Sequence, residues 1–159
     1  MEKFLRALEV LCERLGGKGI RWVVGGSLSL ALQGVDVQPE DIDLITDEEG
    51  AYRIQEILSD FLVKPVRYSS IGAFSSHYSI FEVEGVRVEV MGGLRVHAKG
   101  RAVDLTERLD RPVYVKIGDL TVPLSRLDDH LESYRLLDRP KDREKIQKIL
   151  EQLKNQSLK

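Results

Sequence analysis

Asp41 and Asp43 stand one residue apart in the stretch DIDLI. In a strand, residues i and i+2 point to the same face, so both carboxylates project together while Ile42 and Leu44 face the other way into a core. Burial alone does not favour that pair. Two carboxylates roughly 7 Å apart at their bases can instead converge on two divalent cations, which in two-metal sites lie about 3.5 to 4 Å apart. Mg2+ suits such oxygen ligands and keeps positions for water and substrate phosphates. Glu89 supplies a third acid. In VRVEV the residues Val86, Val88 and Val90 share one face and leave Glu89 with Arg87 on the other, and a charge among alternating valines is costly unless something pairs with it. Asp41, Asp43 and Glu89 are therefore the candidate catalytic and metal-binding set, with two Mg2+ ions expected and Mn2+ as the alternative.

Gly25-Gly26-Ser27 falls where the apolar run IRWVV gives way to a helical segment. Glycine lets the backbone approach a phosphate closely, and the free N–H groups at the start of a helix favour an anion. The Ser27 hydroxyl could cap that helix or donate to a phosphate oxygen. No Gly-Lys-Ser/Thr follows, so this is not a Walker loop. The expectation is a phosphate seat beside a metal seat.

These residues resemble a family. VVGGS, thirteen intervening residues, DIDL and a carboxylate on a later strand look like the DNA polymerase beta-like nucleotidyltransferase superfamily, and within it the small prokaryotic members of the minimal, antibiotic-modifying and toxin-antitoxin types. The resemblance covers about residues 22 to 91. It implies that Gly25, Gly26 and Ser27 hold the β- and γ-phosphates of a nucleoside triphosphate such as ATP, that Asp41 and Asp43 bind two metal ions, and that Glu89 binds one and helps deprotonate an attacking hydroxyl. The implied reaction is transfer of a nucleoside monophosphate to a hydroxyl on a small molecule, an RNA end or a protein, with release of pyrophosphate. One departure stands out: where many relatives carry Arg and Thr four and two residues before the first Asp, this chain has Val37 and Pro39. Two other readings compete, a nucleotide-binding regulatory or antitoxin-type module without turnover and a protein-interaction domain without a nucleotide site.

The elements that must position these groups follow from periodicity. Phe4, Leu5, Leu8, Leu11 and Leu15 recur at helical steps and predict a helix over 2–16 that stops at Gly16-Gly17. IRWVV (20–24) is a strand, 27–33 a short helix and DIDLI (41–45) a strand. Asp47 caps a helix reaching Phe61, and Asp47, Glu48 and Glu49 read as acids complementing its dipole rather than as metal ligands. VKPVRY reads as a strand weakened by Pro65 and so at an edge. HYSIFEVE and VRVEVM form a hairpin turning at Glu84-Gly85. Residues 92–110 read as loop with a short strand at 102–105. PVYVKIGDLTVPL is a second hairpin, and helices follow at about 125–137 and 141–153. The fold class is α/β or α+β, a mixed sheet flanked by helices with a short C-terminal helical pair.

Three side chains, His77, Arg87 and Arg95, are candidate substrate contacts beside the Glu89 strand. His97 and His130 read as surface groups, and Trp22 as core. The single cysteine, Cys12, excludes an intrachain disulfide and a cysteine-based metal site and suits a cytoplasmic setting. The 159 residues suffice for one domain burying roughly 70% of its extended-chain surface. The amphipathic N-terminus does not resemble a signal peptide, and the uncharged run from Trp22 to Val35 is too short for a bilayer span, so no membrane partner is expected. Residues 36–60 carry nine acids against Arg53 alone, whereas 139–159 carry seven bases against three acids. The basic end reads as the solvated face of a packed helix, with RNA, or a protein partner, as the alternative.

Overall fold

The computed structural model describes residues 1–158. The helix α1 (Glu2–Leu15) and the helix α3 (Glu48–Ile57) lie on one face of a mixed sheet. Between them come β1 (Trp22–Gly25), α2 (Gly26–Leu32) and β2 (Ile42–Thr46). Two long hairpin strands, β3 (Leu62–Ile71) and β4 (Phe74–Val83), lead into β5 (Val86–Ala98) and β6 (Arg101–Asp104). The hairpin β7 (Val113–Ile117) and β8 (Leu120–Leu124) precedes the helices α4 (Leu127–Leu137) and α5 (Arg143–Ser157). Strand order is β3-β4-β5-β2-β1-β8-β7, and β6 pairs with β5.

Leu8 and Leu11 of α1 and Ile54 of α3 bury completely against Val24, Leu44, Val88 and Val90. Each such side chain contributes about 1.5 to 3 kcal/mol through removal from water. Period-2 alternation fixes what remains: with Ile42, Leu44, Val88 and Val90 committed to that core, Asp43 and Glu89 must emerge on the opposite face. There α4 and α5 stand, joined to α2 by a second cluster of Leu30, Val35, Leu127, Leu131 and Ile149.

Strand β5 is longer than expected. The segment from Gly92, read above as loop, continues the strand to Ala98 and returns as β6 through a turn at Lys99-Gly100, both with positive φ. The glycines that suggested a loop serve packing. A Cβ on Gly92 would lie 2.6 Å from the Ala51 Cβ on α3, so that glycine is where the helix touches the strand, and Gly93 at φ 64 accommodates the bend. After β6 a 3-10 turn, Thr106–Asp110, leads to β7. The helix expected to reach Phe61 stops at Ile57, and Ser59–Phe61 forms a separate 3-10 turn. Strand β3 does lie at the sheet edge, with register shifts just before and across Pro65, whose ring nitrogen has no hydrogen to donate. No helix among the described residues is long and apolar enough to cross a membrane.

Gly26 is the residue on which strand, helix and acid meet. Its φ of 59 is left-handed, and a Cβ there would fall 2.2 Å from Asp43 Oδ2. Gly72 has nearly the same φ of 60 but open space around it. Gly72→Ala should therefore lose only the conformational term of about 1 to 2 kcal/mol, and Gly26→Ala distinctly more; urea unfolding of the two variants checks the difference.

Candidate active site

Gly25, Asp43 and Glu89 lie on one rung across three adjacent strands. Gly25 is opposite Asp43 in the antiparallel pair β1–β2, and Asp43 is beside Glu89 in the parallel pair β2–β5. Neighbouring strands are about 4.8 Å apart, so the two acids are held close by the sheet itself. Asp41, one residue before β2, lines the same cavity as both. Ser27, in the first turn of α2, lines it too, and no side chain caps that helix.

The two rung acids are not equivalent. Burial and the neighbouring Glu89 and Asp41 push the Asp43 carboxyl up to about 7, against a weaker opposing pull from Lys145. Burial works to raise Glu89 as well, but the Tyr78 hydroxyl, which donates to Glu89 Oε1, and the Arg87 guanidinium at 3.1 Å outweigh it and hold Glu89 below the ordinary carboxylate range. The result is an ionised Glu89 beside an Asp43 that holds its proton near neutrality. Such like-charge crowding without a basic side chain between the carboxylates suits a divalent cation, whose binding would remove the Asp43 proton. The donor chemistry fits Mg2+ or Mn2+ in this respect. No three His, Cys, Asp or Glu side chains among the described residues already converge on one ion position, so water and substrate oxygens would have to complete any coordination shell.

Two cavities meet at the acids and share Ser27, Asp43, Glu89 and Lys145. The first, about 460 Å³, is charged and includes Asp41, Lys141 and Lys148. These lysines were legible in the sequence only as a basic excess on a terminal helix. The fold turns that face inward: Lys145 and Lys148 are three apart on α5, so they share a side, and Lys141 enters from the preceding turn. Lys148 is engaged, 2.8 Å from the Asp36 carbonyl and 3.3 Å from Glu144, whereas Lys145 faces Asp43 with its ammonium over the Tyr134 ring. The second cavity, about 340 Å³, runs between the sheet and α4.

Of the three candidate substrate contacts, Arg87 reaches the acids. His77 and Arg95 line a separate groove with Glu48, Tyr68 and Asp104. His77 sits 3.3 Å from Glu48, and Arg95 pairs with Asp104 across β5–β6. His77 follows the alternation of β4: Tyr78 points to Glu89, so its neighbour points to the other side. Asp47 caps α3, accepting from the Gly50 N–H at 2.6 Å, and also binds Arg21. His130 corrects its surface reading. It is buried, 3.0 Å from Ser29 Oγ, and desolvation aided by Arg108 and Lys145 lowers it to about 4, so it stays neutral.

A family model described as aminoglycoside-2''-adenylyltransferase matches residues 7–149. A crystal structure from Thermotoga maritima, described as that of a candidate nucleotidyltransferase, is 37% identical; 94% of each chain is covered, with a TM-score of 0.81. A lincosamide antibiotic adenylyltransferase with lincomycin bound shares the fold at 15% identity, covering 94% of this chain and 96% of its own, with a TM-score of 0.58. The enzyme ANT(2'')-Ia in complex with adenylyl-2''-tobramycin does so at 13% identity, 96% and 89% coverage, and a TM-score of 0.54. A search of curated proteins found no match.

The asymmetry of the rung has a measurable consequence. The unfolded Asp43 ionises near 3.8 and the folded one near 7, so the folded state binds the extra proton between those values and loses stability as pH rises through them. In EDTA, Asp43→Asn should be more stable than the wild type at pH 8, by on the order of 1 to 3 kcal/mol. The difference should shrink below pH 7 and vanish near pH 4; denaturant melts across that range give the curve.

Proposed function

The chain belongs to the aminoglycoside-2''-adenylyltransferase family of nucleotidyltransferases, and from that membership we propose that it transfers a nucleoside monophosphate from a nucleoside triphosphate, ATP by the family's name, to a hydroxyl acceptor with release of pyrophosphate. The observation that supports the reading most is the rung of Gly25, Asp43 and Glu89, with Asp41 and Ser27 on the cavity that the two acids line. Phosphoryl-type transfer asks a protein mainly for positioning and for compensation of charge, and this site offers both. Bound Mg2+ would supply charge neutralisation at the transferred phosphorus and at the departing oxygens. Asp41, Asp43 and Glu89 are the residues that would hold it.

Every other role falls to the chain's own groups. Gly26 and Ser27 present backbone N–H groups and a hydroxyl to the β- and γ-phosphates, and the absence of a Cβ at Gly26 lets Asp43 approach that seat. Glu89, kept ionised by Tyr78 and Arg87, is the carboxylate open to a hydrogen bond from the acceptor's hydroxyl, and the same two contacts make it a weak base. Val37 and Pro39 place no cation before the acids; Lys145 and Lys141, arriving from α5 and the turn before it, bring positive charge to the leaving pyrophosphate instead.

The test is a thermal shift with each of the four nucleoside triphosphates, with and without Mg2+, on the wild type and the Asp41→Asn/Asp43→Asn variant. Ligand at about 100 times its dissociation constant adds roughly 2.7 kcal/mol of stability. A Mg2+-dependent shift lost in the variant is expected, and Lys145→Ala should weaken nucleotide binding by about tenfold, ~1.4 kcal/mol. No shift with any nucleotide would overturn the reading; a shift without pyrophosphate release for any acceptor would leave a binding module.

A further inference from the structure

Lys145 is the cation that both cavities share, and it is held differently from its neighbour on α5. Lys148 meets Glu144 at 3.3 Å and the Asp36 carbonyl at 2.8 Å, so much of its charge is already answered. The Lys145 ammonium lies instead over the Tyr134 ring, 5.4 Å from the centroid. An aromatic face attracts a cation through its quadrupole without cancelling the charge as a carboxylate would. A lysine stem is flexible and otherwise free to turn toward water or fold onto an acid. The ring decides where this one stands.

The ring itself is fixed. Half-buried Tyr134 packs against the cluster of Leu30, Leu127, Leu131 and Ile149 that joins α2, α4 and α5. One turn earlier on α4 the buried His130 stacks on it, with centroids 6.3 Å apart and planes 18° from parallel. His130 is in turn anchored to α2 through Ser29 Oγ at 3.0 Å. Burial, with Asp142 and Asp43 nearby, pushes the Tyr134 hydroxyl up to about 12, so the ring carries no charge of its own near neutral pH. Tyr134 and Lys145 line the second cavity together with Gly26, Ser27 and Asp43, the residues proposed for phosphate and metal.

We propose that Tyr134 is a positioning residue for nucleotidyl transfer, an aromatic rest that holds the Lys145 ammonium at the triphosphate and leaves its charge available to the departing pyrophosphate. The proposal rests on the nucleotidyltransferase reading. Departure of pyrophosphate builds negative charge on the leaving oxygens, and a cation already in place there stabilises it without reorganisation. An acid at position 134 would hold the lysine as firmly, but it would cancel that charge and add a fourth carboxylate beside Asp41, Asp43 and Glu89. An aliphatic side chain would leave the ammonium unheld. The ring meets both demands.

The test is a double-mutant cycle on the whole chain, read by isothermal titration of a non-hydrolysable ATP analogue with Mg2+. Tyr134→Leu should weaken the analogue about five- to tenfold, close to the loss expected of Lys145→Ala, while Tyr134→Phe, which keeps the ring and drops only the hydroxyl, should stay within about twofold of the wild type. Added to Lys145→Ala, Tyr134→Leu should weaken binding no further, because its effect runs through an ammonium that is already gone. Urea melts check folding, and Tyr134→Met, which fills the space with an adaptable chain, replaces Tyr134→Leu should that variant not fold. Three results overturn the inference: unchanged affinity in Tyr134→Leu; a loss that adds in full to that of Lys145→Ala, the mark of a residue that only supports the fold; or equal losses in Tyr134→Phe and Tyr134→Leu, which would give the role to the hydroxyl. A wild type that binds no nucleotide overturns the nucleotidyltransferase reading and this inference with it, whereas wild-type binding with additive losses overturns this inference alone.

Discussion

The repulsion between Asp43 and Glu89 is the constraint on which the site depends. Parallel pairing of β2 with β5 holds the two carboxylates on one rung, and the hydrophobic alternation of both strands prevents either from turning away: Ile42, Leu44, Val88 and Val90 are fully buried on the other face. The sheet therefore spends part of the core's stability on keeping two like charges together, and the Asp43 proton is the local relief. Tyr78 and Arg87 settle which acid keeps it, by stabilising the ionised form of Glu89. A site arranged in this way is poised for a divalent cation and is less stable without one as pH rises.

The second organising feature is the return of the C-terminal helices over the acids. The pair of the half-buried Arg139 with the fully buried Asp142 fixes the connection between α4 and α5, and the hydrogen bonds of Ser29 and Gln33 to the Ser125 carbonyl tie α2 to the start of α4. Removing Arg139 would leave the buried Asp142 carboxylate unpaired, which is destabilising, so the position of Lys145 opposite Asp43 is set by packing rather than by a flexible surface contact. Charge segregation along the chain, acidic over 36–60 and basic over 139–159, becomes charge apposition in space.

How much of this was readable in the sequence depends on the range of the interaction. The shared face of Asp43 and Glu89 was legible because period-2 alternation decides which face a strand residue takes, and the structure places the two side by side on one cavity with Asp41, which precedes β2. The mixed sheet with flanking helices was legible for the same reason. His77 misled because its place beside the hairpin says nothing of its face; one residue earlier than Tyr78, it belongs to the groove of Glu48. Gly92 and Gly93 suggested loop because a glycine demanded by the approach of α3 looks the same in sequence as one demanded by a turn. The lysines of α5 and the burial of His130 depend on helices packing across more than a hundred residues of chain, for example His130 on Ser29, and no local pattern encodes that.

The most direct test of the account is a Mn2+ titration followed by electron paramagnetic resonance, at pH 7 with a non-hydrolysable ATP analogue, in which only unbound Mn2+ gives the full aqueous signal. A metal seat on these carboxylates predicts that the wild-type chain with nucleotide removes Mn2+ from solution beyond what the nucleotide alone removes, that proton release accompanies binding as Asp43 ionises, and that Asp43→Asn abolishes both. Removal of no more Mn2+ than the nucleotide alone removes, or binding with no dependence on Asp43, would contradict it.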